Sequence, residues 1–403
     1  MSRVFTYLLL GLLVQQPLLA EGSAPDSTKN PIEISGSAAL EFRYFPQQAL
    51  STEQSDSNFS FSLQPEFYRS WNDGKNSLLF TPFIRVDRND SERTHADIRE
   101  LVYENVSNNW ELRAGIGKVF WGTTESQHLV DIINQTDLIE NTDTEDKLGQ
   151  PLINLALIRP TGTLDLFVLP GFRERTFAGN EGRLRNIPAV DTGNPIYESS
   201  AEEKHVDWAL RWSQTLNNWD VGLSHFSGTS REPLFITNSD GSALIPVYNL
   251  IDQTGLDIQT YQGNWLLKLE AISRSGQGAR FSALITGVEY TVVGVLNSPI
   301  DVGWIAEYLF DDRKENALTP FEDDYLIGAR ITLNDEQSSE LLFGVIQDAS
   351  SDSRLFTLEA SRRIGQSWKV DLESRWFSNV QPSEIIFSLR RDDYIQLTLS
   401  KFF

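Results

Sequence analysis

Apolar and polar residues alternate along most of the chain, in runs of about ten residues separated by turn residues. Alternation with a period of two places every second side chain on one face of an extended strand, so each run predicts a β-strand. Seventeen such runs lie between Ile32 and Phe377 and one more follows, which predicts eighteen strands, with sixteen as the alternative count. The apolar positions of six runs are Phe59, Phe61 and Leu63; Trp110, Leu112, Ala114 and Ile116; Val206, Trp208, Leu210 and Trp212; Val302, Trp304, Ala306 and Tyr308; Tyr325, Ile327, Ala329 and Ile331; and Trp368, Val370 and Leu372.

The connections between these runs alternate in length. Short breaks, such as 72–74 and 217–218, are followed by longer polar ones, such as 123–150 and 171–203. A soluble β-sandwich has no reason to keep this order, whereas an outer-membrane barrel has short periplasmic turns and longer outer loops. The pattern therefore predicts an all-β fold: a transmembrane antiparallel up-and-down β-barrel with loops folded into its lumen.

The chain ends in an alternating strand, RDDYIQLTLSKFF, whose last residue is Phe403. In a closed barrel the last strand pairs with the first, since hydrocarbon cannot solvate an open edge. This ending resembles the C-terminal signature of bacterial outer-membrane barrels, although Lys401 stands where an aromatic residue is usual. The resemblance implies recognition by the barrel assembly machinery and a location in the outer membrane of a Gram-negative bacterium.

Four tryptophans follow short turns in similar contexts, at Trp110, Trp219, Trp265 and Trp368. Each begins a strand of the same direction, so all four are predicted to lie at one height of the barrel. Amphipathic rings favour the membrane interface, and we expect these residues and Phe403 to form part of an aromatic girdle. Four core tryptophans of a soluble protein are the alternative.

The first twenty residues combine one arginine, an apolar run from Leu8 to Val14 and a small residue at Ala20. This order predicts a secretory signal peptide over 1–20, because the apolar run is too short for a membrane anchor. A short periplasmic segment over 21–31 and a barrel over 32–403 are the expected remainder.

Composition excludes several classes of function. The chain has 403 residues, no cysteine and a net charge of −22. Thiolate metal sites and disulfides are excluded, and the acidic balance argues against nucleic acid as a partner. The four histidines are scattered along the sequence, so no metal site and no cofactor are expected.

The connection within Gly117–Leu155 is too long to be a bare tether, and we expect it to fold inward. Leu129, Ile132, Ile133 and Thr136 have helical spacing. One hypothesis makes its carboxylates an acidic constriction or cation site in the pore, and the other makes them a solvated outer loop that binds lipopolysaccharide through divalent ions or binds nothing. The acidic residues are Glu125, Asp131, Asp137, Glu140, Asp143, Glu145 and Asp146, with one lysine, Lys147, among them.

A motif in this connection resembles an uncharacterised family of Gram-negative outer-membrane, porin-like barrels. The resemblance implies a barrel and passive transport, with no established substrate. Gln135 departs from the family, which usually has proline there. The matching residues are Gly117, Lys118, Trp121, Gly122, Asp131, Ile132, Ile133, Asn134, Asp137, Leu138, Gly149 and Pro151, together with Leu169, Pro170 and Phe172–Arg175.

Arginines supply the second half of the predicted constriction. Those of the following loop are expected either to pair with the acids of the preceding loop or with inward Glu111, Asp371 and Glu373, or to pair locally. The loop arginines are Arg173, Arg175, Arg183 and Arg185. The inward candidates on strands are Arg85, Arg113, Arg211, Arg330 and Arg375, with Glu111, Glu307 and Glu373.

These features favour a non-enzymatic outer-membrane channel for passive diffusion of small polar or charged solutes. The alternative is a non-conducting barrel, plugged by Val119–Pro151, that serves an export or surface complex. A minor alternative is a lipid hydrolase built on His225 and Ser227. Outer-membrane lipid and lipopolysaccharide are the expected surroundings, a homotrimer is a further expectation, and the sequence identifies no solute.

Overall fold

The computed structural model describes residues 30–403, of which Ile32–Phe403 form one compact unit. The predicted signal peptide and nearly all of the 21–31 segment lie outside the described residues. The strands are β1 (Glu33–Tyr44), β2 (Ser57–Trp71), β3 (Asn76–Asp87), β4 (His95–Val106), β5 (Trp110–Gly117), β6 (Gln150–Arg159), β7 (Gly162–Pro170), β8 (Ile196–Tyr197), β9 (Val206–Leu216), β10 (Trp219–Thr229), β11 (Leu234–Thr237), β12 (Leu244–Tyr248), β13 (Leu250–Gln262), β14 (Trp265–Ser275), β15 (Phe281–Val292), β16 (Asp301–Asp311), β17 (Asp323–Thr332), β18 (Glu340–Asp348), β19 (Arg354–Ile364), β20 (Trp368–Ser378) and β21 (Tyr394–Phe402). Short 3-10 turns cover Glu202–Lys204, Val295–Asn297, Lys314–Asn316 and Ile385–Leu389.

Eighteen of these strands form one closed antiparallel sheet, namely β1 to β7, β9, β10 and β13 to β21. Each barrel strand pairs with the next along the chain, and β21 returns to β1 with Phe402 opposite Ser37 and Ile395 opposite Tyr44. The sheet therefore has no open edge. The predicted up-and-down barrel and the count of eighteen strands are both confirmed.

Side chains along each strand alternate between an outward face, of the kind that contacts lipid, and a face toward the barrel interior. In β16, Trp304 is 56% exposed, whereas its neighbours Ile305 and Glu307 are each 3% exposed. The outward positions form an apolar belt, while many inward positions carry charged or amide side chains. This distribution is the reverse of a soluble domain and matches a barrel that spans a membrane. Among residues 30–403, no helix is both long and apolar enough to cross a bilayer.

The connections follow the predicted order with several exceptions. One end of the barrel carries short connections, including 72–75, 107–109 and 217–218. The opposite end carries the longer ones, of which 118–149 and 171–205 have more than thirty residues each. Two connections at this loop end, 276–280 and 349–353, have only five residues. The alternation of lengths is therefore a tendency and not a strict rule.

A small sheet covers the loop end. Strands β11 and β12 form an antiparallel hairpin, and β12 pairs in parallel with β8 of the preceding connection. Tyr197 of β8 stacks on Tyr248 of β12 with ring centroids 5.5 Å apart. The connections 171–205 and 230–249 are thereby tied into one outer layer.

Each of the four turn-adjacent tryptophans is the first residue of its strand. Trp110 begins β5, Trp219 begins β10, Trp265 begins β14 and Trp368 begins β20. Lys401 lies 5.0 Å from the centre of the Trp368 ring, a cation–π contact. A lysine at the usual aromatic position therefore still packs on an aromatic ring.

Deletion of Phe403 is expected to lower the yield of folded barrel. The Phe403 amide donates to the Gly36 carbonyl at 3.1 Å, and the Gly36 amide donates to the Phe403 carbonyl at 3.0 Å. Loss of both hydrogen bonds costs roughly 1 to 3 kcal/mol at the seam of the barrel. Refolding into lipid vesicles followed by gel mobility measures the yield. The Phe403→Tyr variant keeps both bonds and should refold normally; equal yields for deletion and wild type would contradict the expectation.

Candidate functional site: the inserted loop and the lumen

The connection 118–149, called the inserted loop from here on, fills one side of the lumen. Its apolar side chains are almost inaccessible, with Val130 and Ile133 both 0% exposed. They pack in one cluster with inward-facing apolar residues of the wall. The wall residues of this cluster include Phe167, Ala209, Phe226, Ile251, Ile272, Ile285, Ile305, Leu309 and Leu326. The predicted inward fold of this connection is what the structure has, with an apolar seal on that side of the lumen.

The inserted loop contains no helix, so the helical interpretation of Leu129, Ile132, Ile133 and Thr136 was wrong. All four side chains are buried, but they belong to an irregular chain of turns and bridges. Asn134 explains part of this path, because its amide nitrogen donates to the Gly117 and Leu148 carbonyls at 2.9 and 2.8 Å. This side chain therefore ties the middle of the inserted loop to backbone groups at its two ends.

Glu270 of β14 holds the first part of the inserted loop. Its carboxylate is 0% exposed and accepts hydrogen bonds from the backbone amides of Thr123, Thr124 and Val130 at 2.6, 3.0 and 3.2 Å. The Thr124 hydroxyl donates a further bond at 2.7 Å. His128 lies 3.6 Å away from the same carboxylate. One inward carboxylate thus orders a whole turn of the loop.

Glu307 of β16 holds the adjacent residues of the inserted loop in the same way. The backbone amides of Glu125 and Ser126 donate to it at 2.7 and 2.9 Å, and the Ser126 hydroxyl donates at 2.6 Å. Glu125 in turn pairs with Arg330 of β17 at 2.6 Å and lies 3.6 Å from Lys268 of β14. Two adjacent parts of the wall therefore hold the segment 123–130.

The segment 137–140 of the inserted loop is held by arginines on the opposite side of the barrel. Asp137 is 0% exposed and lies 2.5 Å from Arg99 of β4. Glu140 accepts bonds from Arg85 of β3 at 2.6 to 3.0 Å, and Arg93 donates to the Ile139 carbonyl at 2.7 Å. Because 123–130 and 137–140 bind opposite walls, the inserted loop crosses the lumen.

His95, Asp137 and Glu140 have ligand atoms within 4.8 Å of one another, a spacing that could suit a metal ion. Arg85 and Arg99 already neutralise the two carboxylates at contact distance. A cation added here would have to displace both guanidinium groups, so the arrangement is that of a buried ion-pair network.

Arg231, in the connection after β10, was not among the sequence candidates but also holds the inserted loop. It is 3% exposed and donates two hydrogen bonds to the Ile133 carbonyl at 3.1 and 2.9 Å. It also pairs with Asp207 of β9 at 2.8 Å. Isolated arginines in polar connections are common, and no local motif singles this one out. Glu270 was detectable only as one of many inward charges in the strand alternation.

The four arginines predicted from the next loop, 171–205, do not build a field across the pore. Arg173 pairs with Asp97 of β4 at 2.9 Å, and Arg183 pairs with Asp392 at 2.6 Å. Arg175 donates to the Gln135 side chain at 3.2 Å, and Arg185 donates to the Asn186 carbonyl at 2.9 Å. Within residues 30–403, the salt bridges of these arginines involve neither the acids of the inserted loop nor Glu111, Asp371 or Glu373. Of the two alternatives, the pairing across the lumen is not formed, because nearer partners at the loop end take the guanidinium groups.

The strand candidates divide into three kinds of position. Arg330 and Arg375 reach the inserted loop, Arg375 through Asp143 at 3.2 Å. Arg211 instead pairs with Asp257 on the wall through two bonds of 2.7 and 2.8 Å. Arg113 donates weakly to the Lys118 carbonyl at 3.4 Å, and Glu111 faces Ala156 across the β5–β6 ladder near the turn end. The predicted candidates therefore do not converge on one ring.

Arg375 of β20 is the centre of a charged patch on the other side of the lumen. It contacts Glu373 at 3.1 Å and Glu359 of β19 at 3.2 Å, in addition to Asp143. The side chain of Glu359 is 48% exposed, although it faces inward. Glu145 of the inserted loop is likewise half exposed. Inward charges remain open to water here, whereas β14 to β16 are sealed by apolar side chains.

Two titratable groups of the inserted loop have strongly shifted pKa values. Enclosure within the barrel raises the pKa of Asp146, and the neighbouring carboxylates of Asp143 and Glu140 raise it further, to about 7. Burial alone would lower the pKa of His128, but the nearby carboxylates of Glu145 and Glu270, 3.1 and 3.6 Å away, outweigh burial and raise it to about 10. His128 is therefore a cation at neutral pH, while Asp146 titrates in that range.

His225 and Ser227 lie on the outward face of β10. His225 Nδ1 lies 3.0 Å from the Thr254 hydroxyl, and the ring packs against Trp208. No hydrogen bond between His225 and Ser227 is present among the described residues. The contact that a hydrolase would need to activate its serine is not formed.

No protein-family model matches the chain, and no curated protein matches it by sequence. Solved structures match along nearly the whole barrel. A variant of the Rh. blastica porin is 9% identical over 93% of this chain and 100% of the porin, with a TM-score of 0.45. OmpT, an outer-membrane protein of Vibrio cholerae solved in a trimer form, is 9% identical over 93% of this chain and 99% of its own, with a TM-score of 0.46. Similarity at this level identifies no family and carries no argument about function.

Proposed function

We propose that the protein is a passive outer-membrane channel, in which small polar or charged solutes pass beside the inserted loop. The observation that supports this proposal most directly is that the two sides of the lumen differ in their exposure to water. The β14 to β16 side is sealed by the loop and its apolar cluster, whereas inward Glu359 and the loop residues Glu145 and Asp146 remain open to water. Water-exposed charges inside a barrel of this strand number support an aqueous passage.

The charges along this passage favour cations. Carboxylates of the loop and wall outnumber the basic groups near them, with Arg375 already shared among three acids. A focused negative potential raises the local concentration of cations and repels anions. The acids of this passage are Asp143, Glu145, Asp146, Glu359, Asp371 and Glu373, and the basic groups beside them are His128, Lys369 and Arg375.

Single-channel recording in planar bilayers tests the proposal. The refolded protein is expected to give long, steady openings with a reversal potential that shows cation preference in a salt gradient. A folded protein that inserts and stays silent would overturn the channel in favour of the plugged barrel. The apolar seal around Ile133 is the observation that favours that alternative. Assembly as a homotrimer stays a prediction, which the mass of the detergent-solubilised protein would test.

The cation preference is expected to depend on pH through Asp146. Because its pKa is raised to about 7, this carboxylate is largely neutral at about pH 6 and charged at about pH 8. The preference for cations should therefore increase as pH rises between these values. Reversal potentials of the wild type and Asp146→Asn check this, since the variant should lose most of the pH step. Glu53→Gln, an exposed position of an outer loop, should keep it; a step that survives in Asp146→Asn would assign it to another group.

A further inference from the structure

The outward face of the barrel contains an apolar groove of about 530 Å³ between β2 and β6. Its mouth lies among lipid-facing positions, where Ile84 is 49% and Ile98 is 36% exposed. Its volume is within the range of about 300 to 1,000 Å³ that small-molecule sites occupy. The lining is formed mainly by Leu63, Pro65, Pro82, Ile84, Ile98 and Ile116, with Asp97 and Arg173 at its base.

The groove lies where three successive ladders, β2–β3, β3–β4 and β4–β5, are interrupted. The β2–β3 ladder stops at Leu63 opposite Ile84 and resumes at Phe67 opposite Phe80. Pro65 and Pro82 face this gap, and proline has no amide proton to give to a ladder. The β3–β4 register then shifts next to Pro82.

The first half of β4, at the loop end, has no ladder with β5. Pairing of β4 with β5 ends at Leu101 opposite Ile116, so 95–100 pair with β3 alone. Gly149 closes the wall at this point, because a Cβ there would lie 2.4 Å from the Arg99 carbonyl oxygen. The thin part of the wall is thus backed by the end of the inserted loop.

A cation lies at the base of this apolar groove. Arg173 pairs with Asp97 at 2.9 Å and donates to the Gly149 carbonyl at 3.1 Å, yet its side chain stays 31% exposed. A guanidinium group has five N–H donors, so it can bind a second carboxylate while it keeps Asp97. An apolar slot that ends at an arginine is complementary to an acyl chain with an anionic head.

We propose that this groove binds one long-chain fatty acid, taken laterally from the membrane, with its chain between β2 and β5 and its carboxylate at Arg173. The depth of the site favours a free fatty acid over a bilayer phospholipid. Pro82 is the seventh of the twelve residues of β3, which places the groove near mid-height of the wall. A phospholipid keeps its head group at the membrane surface, whereas a single-chain acid can carry its carboxylate to a partly exposed cation within the wall. The proposal depends on the lipid-facing placement of this wall and not on conduction through the lumen.

Photo-crosslinking in vesicles tests the groove. The probe is palmitic acid with a diazirine in its chain, added to the full-length mature protein in phosphatidylethanolamine and phosphatidylglycerol vesicles. Mass spectrometry should find label on peptides that contain 63–65, 82–84 or 96–98, and excess unlabelled palmitate should remove it. Ala96→Trp, which fills the exposed position opposite Ile84, should reduce the competable label about tenfold, and Arg173→Gln should weaken competition.

The matched control is Ile327→Trp, which adds the same ring at a lipid-facing position of β17 outside the groove. It should leave the competable label unchanged, and circular dichroism should show a folded barrel for all three variants. Label spread evenly around the belt, or label that palmitate does not compete, would overturn the proposal. Equal labelling of the groove by a diazirine phospholipid, without competition by palmitate, would assign it to ordinary bilayer lipid and overturn it as well. A barrel silent in planar bilayers that still binds palmitate would refute the channel and leave the groove intact.

Discussion

Replacement of residues 118–149 by a two-residue Asn-Gly turn is expected to raise the single-channel conductance several-fold. Gly117 and Gln150 face each other at the end of the β5–β6 ladder, so a tight hairpin can join them without change to the strands. The variant lacks the whole inserted loop and exposes the inward side chains beneath it. A barrel of eighteen strands without inserted segments encloses a wide aqueous lumen.

The matched control shortens an outer connection that does not enter the lumen. Thr237 and Leu244 pair at the end of the β11–β12 hairpin, so 238–243 can be replaced by the same Asn-Gly turn. This variant should conduct like the wild type. If the loop-less barrel folds and its conductance equals that of the wild type, the inserted loop does not constrict the passage.

Arg99→Ala is expected to release the far end of the inserted loop. The substitution leaves the Asp137 carboxylate buried without the guanidinium group 2.5 Å away. Breaking a buried pair by removal of one partner costs about 3 to 5 kcal/mol. The loop-closed state should lose most of its advantage, so that recordings show frequent transitions to a higher conductance. Protease added from the loop side should also cleave within 137–146 more rapidly than in the wild type, where the Arg99–Asp137 pair holds this segment.

The double variant Arg99→Ala with Asp137→Asn separates ion pairing from general disruption. Because it removes both charges, it should be closer to the wild type than Arg99→Ala alone. Arg362→Ala breaks an exposed pair with Asp335, which water and salt screen, so it should leave the currents as in the wild type. If Arg99→Ala gives the same steady currents as the wild type, without transitions to a higher conductance, the Arg99–Asp137 pair does not hold the inserted loop.

The barrel could be predicted because its physical cause acts on every strand. Lipid on one side and water or polar contacts on the other impose a period of two, which is visible in runs such as Val302–Tyr308. The alternation of short turns and longer loops then predicted an even number of strands. The alternating apolar residues before Phe403 predicted that the last strand pairs with the first and closes the barrel. The interruptions of the strand ladders at Pro65 and Pro82 could not be predicted in the same way. Each is marked in the sequence by a single proline, and its effect depends on which strands lie next to each other.

The path of the inserted loop could not be read from its own residues. Its length and buried apolar positions predicted an inward fold, but Ile132 and Ile133 are spaced as in a helix that does not form. The deciding partners, Glu270 and Arg231, are about 140 and 98 positions distant in sequence from the groups they bind. For the same reason the arginines Arg173 and Arg183 could be recognised as pairing residues while their partners could not.

Cysteine accessibility tests most directly whether the lumen is sealed on one side and open on the other. The chain has no cysteine, so Glu359→Cys and Ile285→Cys each introduce a single thiol, one on the exposed inner face of β19 and one beneath the inserted loop. During planar-bilayer recording, a positively charged thiol reagent should react with Glu359→Cys and lower the current at once. Ile285→Cys should stay unreactive until the protein is unfolded. Rapid modification of Ile285→Cys, or no reaction at Glu359→Cys in a conducting barrel, would contradict the divided lumen.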